Sequence, residues 1–152
     1  MMKQTIRDQY QSKLDQLIDS NTVIRPKEGW IRTLRKALGM SSPQLARRLG
    51  VSKSQASQME RMEIEDRITL KALRRVADAL ECDFQYALVP RQPVQNMIRD
   101  RANVKARALA EKTQAQMSLE AQQLSENGLR KQVTREVDRL VRDMPRDLWE
   151  DE

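Results

Sequence analysis

The chain of 152 residues contains no histidine, a single cysteine and four glycines, and only 3% of it is aromatic. Without imidazole there is no side chain that titrates near neutral pH unaided, and no His ligand for a metal. One cysteine, Cys82, can neither close an internal disulfide nor assemble a thiolate zinc site. After "RRVADALE" it reads as a small buried hydrophobe rather than a reactive thiol. Few aromatics and few glycines argue against a sheet-rich fold. No apolar run approaches the roughly 20 residues that span a bilayer. The N-terminal "MMKQTIRDQYQSK" lacks the apolar stretch of a secretory signal, so a soluble, cytoplasmic chain with no membrane attachment is expected. Glu63, Glu65 and Asp66 cluster without a base partner or a phosphate-cradling loop, and read as a solvated turn. No enzymatic activity, metal or cofactor is expected.

What the chain has in quantity is charge, at 33%, together with Ala, Leu, Gln and Arg, a mixture that favours helix. The hydrophobic fraction of 39% is low for a globular protein, so some helices should find apolar partners in another chain. The net charge of +6 is local. Residues 29–61 carry Arg32, Arg35, Lys36, Arg47, Arg48, Lys53 and Arg61 against Glu60 alone, while the remainder is balanced. The last ten residues, "DMPRDLWEDE", are acidic. A basic block with neutral flanks implies a polyanionic partner for that block.

Periodicity divides the chain into segments 1–28, 29–90 and 91–152. In the first, Ile6, Tyr10, Leu14, Leu17 and Ile18 form one apolar helical face that ends near "DSNT", and Pro26 and Gly29 make "RPKEGW" a connector. The second contains four short helices. "WIRTLRKALG" turns Trp30, Ile31, Leu34 and Leu38 inward and stops at Gly39. "SSPQLARRLG" is capped by Ser41, tolerates Pro43 in its first turn, and buries Leu45, Ala46 and Leu49. "VSKSQASQMERME" restarts at Ser52, and "TLKALRRVADALE" follows with Thr69 as cap and Leu70, Leu73, Val76, Ala77 and Leu80 inward. In "CDFQYALVP" the period changes to two, which fits a short strand near 83–90 that pairs across a dimer, or else a fifth helical turn. The third segment is a long polar helix over about 94–124 without an evident core stripe, which suggests packing on a partner. A better amphipathic helix follows, with Leu129, Val133, Val137, Leu140, Val141 and Met144 on one face and Pro145 as its stop.

The stretch "RRLGVSKSQASQMER" is the informative one. Three serines, two glutamines and a lysine between Ser52 and Gln58 make a poor helix by propensity. Leu45, Leu49, Val51, Ala56 and Met59 nevertheless supply a shared core for two helices crossing closely at Ala46, with Gly50 in the turn. That is a helix-turn-helix, whose second helix enters the DNA major groove. Short hydroxyl, amide and ammonium side chains are what base edges accept, which nominates Lys53, Ser54, Ser57 and Gln58 as base-reading residues. Gln44, near a helix N-terminus, with Arg47, Arg48, Gln55 and Arg61, is suited to phosphate. The bland alternative is a helical bundle with a polar solvent face. An acid-free reading face coinciding with the whole net charge favours DNA.

"LRKALGMSSPQLARRLGVSKSQASQME…ITLKALRRVADAL" resembles the Xre/Cro-type helix-turn-helix regulators, phage repressors and antitoxin regulators that bind operators as dimers. The resemblance implies an all-α, lambda-repressor-like bundle with helical extensions at both ends. In that family a Gln at the start of the first motif helix often contacts phosphate. Ser42 holds that place here, which shifts the contact to Gln44. "RPKEGWIRTLRKALGMS", "LECDFQYALVP", "MSLEAQQL" and the terminal "LW" extend the resemblance to the family called mobile mystery protein A. Its members are encoded beside a Fic-domain protein, and the pair looks like a toxin–antitoxin module. The resemblance therefore implies a repressor of its own operon, a homodimer and a Fic-domain partner. With no histidine this chain cannot be the Fic enzyme. Many Fic inhibitors carry Ser/Thr, three residues, then Glu and Asn or Gly. In "QQLSENG", Glu126 and Asn127 fit that pattern, whereas Gln122 stands where Ser or Thr belongs. The rival reading has Asn127 simply capping the last helix, and the rival to the whole function is a protein–protein adaptor of a Fic-domain enzyme with little specific DNA binding.

Overall fold

The computed structural model describes residues 2–20, 23–119 and 125–151. They contain seven helices and no strand, forming two compact units. One comprises Asn21–Leu88 and the other Met1–Ser20 together with Val89–Glu152. The all-α bundle expected from composition is the fold observed.

In the unit Asn21–Leu88 lie four of the helices. Taking α1 as Met2–Asp15 in the other unit, they are α2 (Trp30–Ala37), α3 (Ser42–Leu49), α4 (Lys53–Ile64) and α5 (Leu70–Ala79). Ile31, Leu45, Leu49, Val76 and Leu80 form its core, with Leu34, Met40, Val51, Met59, Leu73 and Cys82 packed against them. Ala46 and Ala56 are buried, so the side chains at these positions on α3 and α4 leave room for a close approach. Three apolar residues expected inside are outside: Trp30, Leu38 and Leu70 are 41%, 56% and 47% exposed. Helices of eight to ten residues bury only a narrow stripe, and these positions fall at its margins.

Two carboxylates organise this core. Glu60 accepts from Arg35 Nε at 2.5 Å, and both side chains are nearly buried. Arg35 also donates to the carbonyl of Met40 at 3.0 Å. Glu63, expected in a solvated turn, is buried instead and accepts from the backbone N–H groups of Trp30 (2.8 Å) and Ile31 (3.0 Å). It caps α2, whose preceding residue is a glycine without a capping side chain. Arg25 seals the far end of α4 by donating to the Glu63 carbonyl at 2.8 Å and pairing with Asp66 at 2.6 Å. The connector "RPKEGW" is thus a clamp on α4, beyond its role as a spacer.

The other unit holds α1, α6 (Val94–Leu119) and α7 (Glu126–Asp143). Helix α6 does have a core stripe, contrary to expectation. Ile98, Ala102, Ala106 and Ala110 recur every four residues, are all buried, and the first three share a core with Val137, Leu140 and Leu148. Alanine supplies the stripe, which is why it looked empty when only large apolar groups were sought. Arg101 fastens the C-terminal turn over this core, donating to the carbonyls of Leu148 (2.6 Å) and Glu150 (2.7 Å). Asp15 accepts from Val94 N–H at 2.9 Å at the start of α6. Helix α1 ends at Asp15, and its predicted apolar face is exposed at Ile6 (50%) and Tyr10 (65%), whereas Leu17 and Ile18 beyond its end are half-buried. Replacing Ala106 by Leu should destabilise this unit by about 1–3 kcal/mol through overpacking. Chemical denaturation followed by circular dichroism checks this, and an unchanged midpoint would contradict the close α6–α7 packing.

Residues 83–90 are neither strand nor helical turn. They run without regular structure after α5. A strand needs a hydrogen-bonded neighbour, and none pairs with this segment among the described residues.

Candidate nucleic-acid interface

Helices α3 and α4 begin with the same device. Ser41 Oγ accepts from the N–H of Gln44, and Gln44 Oε1 accepts from the N–H of Ser41 at 2.8 Å. Ser52 and Gln55 repeat the reciprocal pair at 3.1 and 3.0 Å. Each box satisfies orphan N–H groups at a helix start, worth about 1 kcal/mol at the cap residue alone. These boxes explain how a serine-rich segment is helical at all. Both glutamines are phosphate candidates, and their carbonyl oxygens are committed here. Only the amide NH₂ of each is left to donate outward.

Between the two helices Gly50 adopts φ +69°, and the N–H of Val51 closes back on the carbonyl of Ala46 at 3.0 Å. Arg75 donates to the carbonyl of Leu49 at 3.2 Å, satisfying another group at the end of α3. The turn is therefore fixed by backbone geometry and by a side chain from α5, and it sets how α4 leaves α3.

Helix α4 then presents Lys53, Ser54 and Gln58 to solvent, with Ser57 half-buried beside the buried Ala56. The positions 53, 54, 57 and 58 lie on one face at the helix's N-terminal end. On α3, Ser42 is half-buried, whereas Gln44 and Arg47 are exposed. Gln55 is exposed in the first turn of α4 and Arg61 in its last. Arg48 is exposed but partly occupied: its Nε donates to the carbonyl of Ala79 at 2.7 Å, and Glu81 stands 3.6 Å away.

Several of the seven basic groups are answered locally. Arg35 is spent on Glu60, and Lys36 bonds Glu28, whose carboxyl it holds below the ordinary range by hydrogen bonding and by charge. Arg47, Lys53 and Arg61 have no carboxylate partner among the described residues, so their charge remains available to a polyanion. Glu60, the lone acid of the basic block, is turned inward. The exposed part of the α4 reading face therefore carries no acid.

Residues 31–86 match the family model described as Helix-turn-helix. This stretch is similar to a helix-turn-helix domain. The match covers α2 to just beyond α5 and supports a DNA-binding regulator of the Xre type. No curated protein and no solved structure matched the chain. The helices α3 and α4, joined by the turn at Gly50, correspond to the two helices of such a motif. Among the described residues no group of three His, Cys, Asp or Glu could hold a metal ion, and no helix is long and apolar enough to cross a membrane.

Glu126 and Asn127 lie in the other unit, exposed in the first turn of α7. The cap there is Ser125, whose hydroxyl accepts from Gly128 N–H at 3.1 Å, so Asn127 is not the capping residue. Gln122 lies outside the described residues. Sequence reasoning named Gly29 only as a helix breaker and Glu63 only as part of a solvated turn, and missed the Glu63 cap on α2 and the Arg35–Glu60 pair. The two serine–glutamine spacings were a legible signal for the capping boxes. Nothing local signalled that Glu63 reaches across to α2.

Proposed function

We propose that the chain is a sequence-specific, homodimeric transcriptional repressor that reads an operator in double-stranded DNA with α4. The observation that carries this reading is the acid-free face of exposed Lys53, Ser54 and Gln58 and half-buried Ser57 on a helix whose start is fixed by a capping box. Amide and ammonium groups there suit adenine and guanine edges, and serine suits either. Arg47, with the NH₂ of Gln44 and Gln55, with Ser42 at the start of α3 and with Arg48 and Arg61, suits the flanking phosphates and sets register. A protein that works on DNA in this way acts in the cytoplasm.

We infer further that it is the antitoxin of a Fic-type module and represses its own operon. The support is the sequence resemblance beyond the matched domain, together with Glu126 and Asn127 standing exposed at the start of α7. Two tests apply. Footprinting on the chain's own promoter should show a protected site, and a bare promoter would contradict autoregulation. Co-expression with the neighbouring Fic-domain protein should restore growth, and removal of residues 91–152 should abolish that rescue. Failure of the full chain to rescue would contradict the antitoxin role while leaving the repressor role intact.

A further inference from the structure

The segment after α5 combines three properties. First, it has no regular secondary structure, and no backbone N–H or C=O from Asp83 to Leu88 has a hydrogen-bond partner among the described residues. Second, its side chains alternate. The rings of Phe84 and Tyr86 lie 5.8 Å apart on one side, with Arg74 stacked 5.7 Å from the Phe84 centroid. Leu88, two residues on, is 85% exposed. Third, an apolar groove of about 510 Å³ lies beside it, walled by Trp30, Leu34, Leu70, Leu73 and Phe84. A row of unpaired backbone groups next to exposed apolar side chains is a template for another strand.

We propose that residues 83–88 pair antiparallel with the same segment of a second copy, forming a two-stranded ribbon across a two-fold axis. This rests on the dimeric reading above and assigns its interface. Self-complementarity selects a second copy over an unrelated strand. Centring the ribbon on Tyr86 sets Phe84 opposite Leu88 of the partner copy and Tyr86 opposite its own equivalent, so aromatic and apolar side chains meet along one face. Gln85 and Ala87 meet on the other. Charge agrees in direction: Asp83 begins the segment and Arg91 follows it, and antiparallel pairing brings opposite signs to the same end. Parallel pairing would stack like on like. Pro90, which has no N–H to donate, ends the ribbon. A stable dimer buries about 1,200–2,000 Å² in total. Two short strands alone make a narrow contact, and the adjoining groove, open to apolar side chains of the second copy, widens it.

The test uses the full chain with Cys82→Ser as background, so that any added cysteine is the sole thiol. Tyr86→Cys should form a cross-linked dimer on mild oxidation. Gln85→Cys, which lies opposite Ala87 rather than itself, should cross-link at least roughly tenfold more slowly, since diagonal neighbours stand about 7–8 Å apart. In light scattering the parent chain should be a dimer at micromolar concentration. Ala87→Pro and Leu88→Asp should each weaken that dimer by roughly tenfold or more, with helicity by circular dichroism unchanged. A monomeric parent chain would overturn the proposal, as would a dimer indifferent to both substitutions or equal cross-linking at 85 and 86. Promoter binding on the same samples separates the two readings. A dimer that cross-links at 86 but ignores DNA supports the ribbon and refutes the repressor, and a monomer that binds the operator does the reverse.

Discussion

Gly29→Ala should unfold the unit that holds α2–α5, or leave it barely stable, whereas Gly50→Ala should not. Gly29 has φ +84° and ψ 161°, a region of the backbone map that is essentially closed to residues with a Cβ. A Cβ placed there would stand 2.7 Å from Glu63 Oε1, so the carboxylate that caps α2 must also move. Strain of about 1–3 kcal/mol adds to unpaired N–H groups at about 1–3 kcal/mol each where they stay buried. For the two N–H groups the total is about 3–9 kcal/mol, comparable with the 5–15 kcal/mol that typically holds a domain together. Glu63→Ala should approach the same loss from the other side, with less backbone strain. Gly50 is left-handed too, at φ +69°, but no atom lies within 4 Å of an added methyl, so its cost is about 1–2 kcal/mol. Thermal unfolding by circular dichroism ranks the three variants. A Gly29→Ala melt no lower than that of Gly50→Ala would show that the Glu63 cap contributes little.

The second large effect is on recognition. Lys53→Ala/Gln58→Ala should erase most of the preference for the operator, because each base-directed pair contributes about 1–3 kcal/mol of discrimination. The two positions are five residues apart on α4, so their losses should be close to additive, at about 2–6 kcal/mol. Folding should be unaffected, since both side chains are exposed and neither belongs to the capping box. Arg47→Ala should behave differently, weakening all duplexes alike and flattening the salt slope by about one unit. Fluorescence anisotropy with operator and scrambled duplexes separates the two behaviours. Full operator affinity in the double variant would remove α4 from the reading role.

These two predictions draw on residues of very different legibility. Lys53, Ser54 and Gln58 could be nominated because a surface helix shows its exposed face directly in its composition. Leu45, Leu49, Ala56 and Met59 followed from the same periodicity. Ser41 and Ser52 were readable as caps because capping is local. Glu63 was not legible, because its partners, Trp30 and Ile31, are more than thirty residues away and its neighbours Glu65 and Asp66 are ordinary surface acids. Arg35 counted as part of a basic block until Glu60 was found to bury its charge. Alanines 102, 106 and 110 were passed over because small side chains register weakly in any hydrophobic pattern, yet only small side chains let two helices approach so closely. The apolar residues of α1 do recur with a helical period, but a period cannot say which side of a helix meets its neighbour, and here Ile6 and Tyr10 are exposed.

One titration tests the central claim most directly: the affinity of the full chain for its own promoter duplex and for a scrambled duplex of equal length, at one physiological salt concentration. If α4 reads bases, the promoter should bind tighter by at least about 10³-fold, the lower end of the range for specific regulators. Equal affinity for the two duplexes would mean that the basic block meets only phosphate, and would contradict the account.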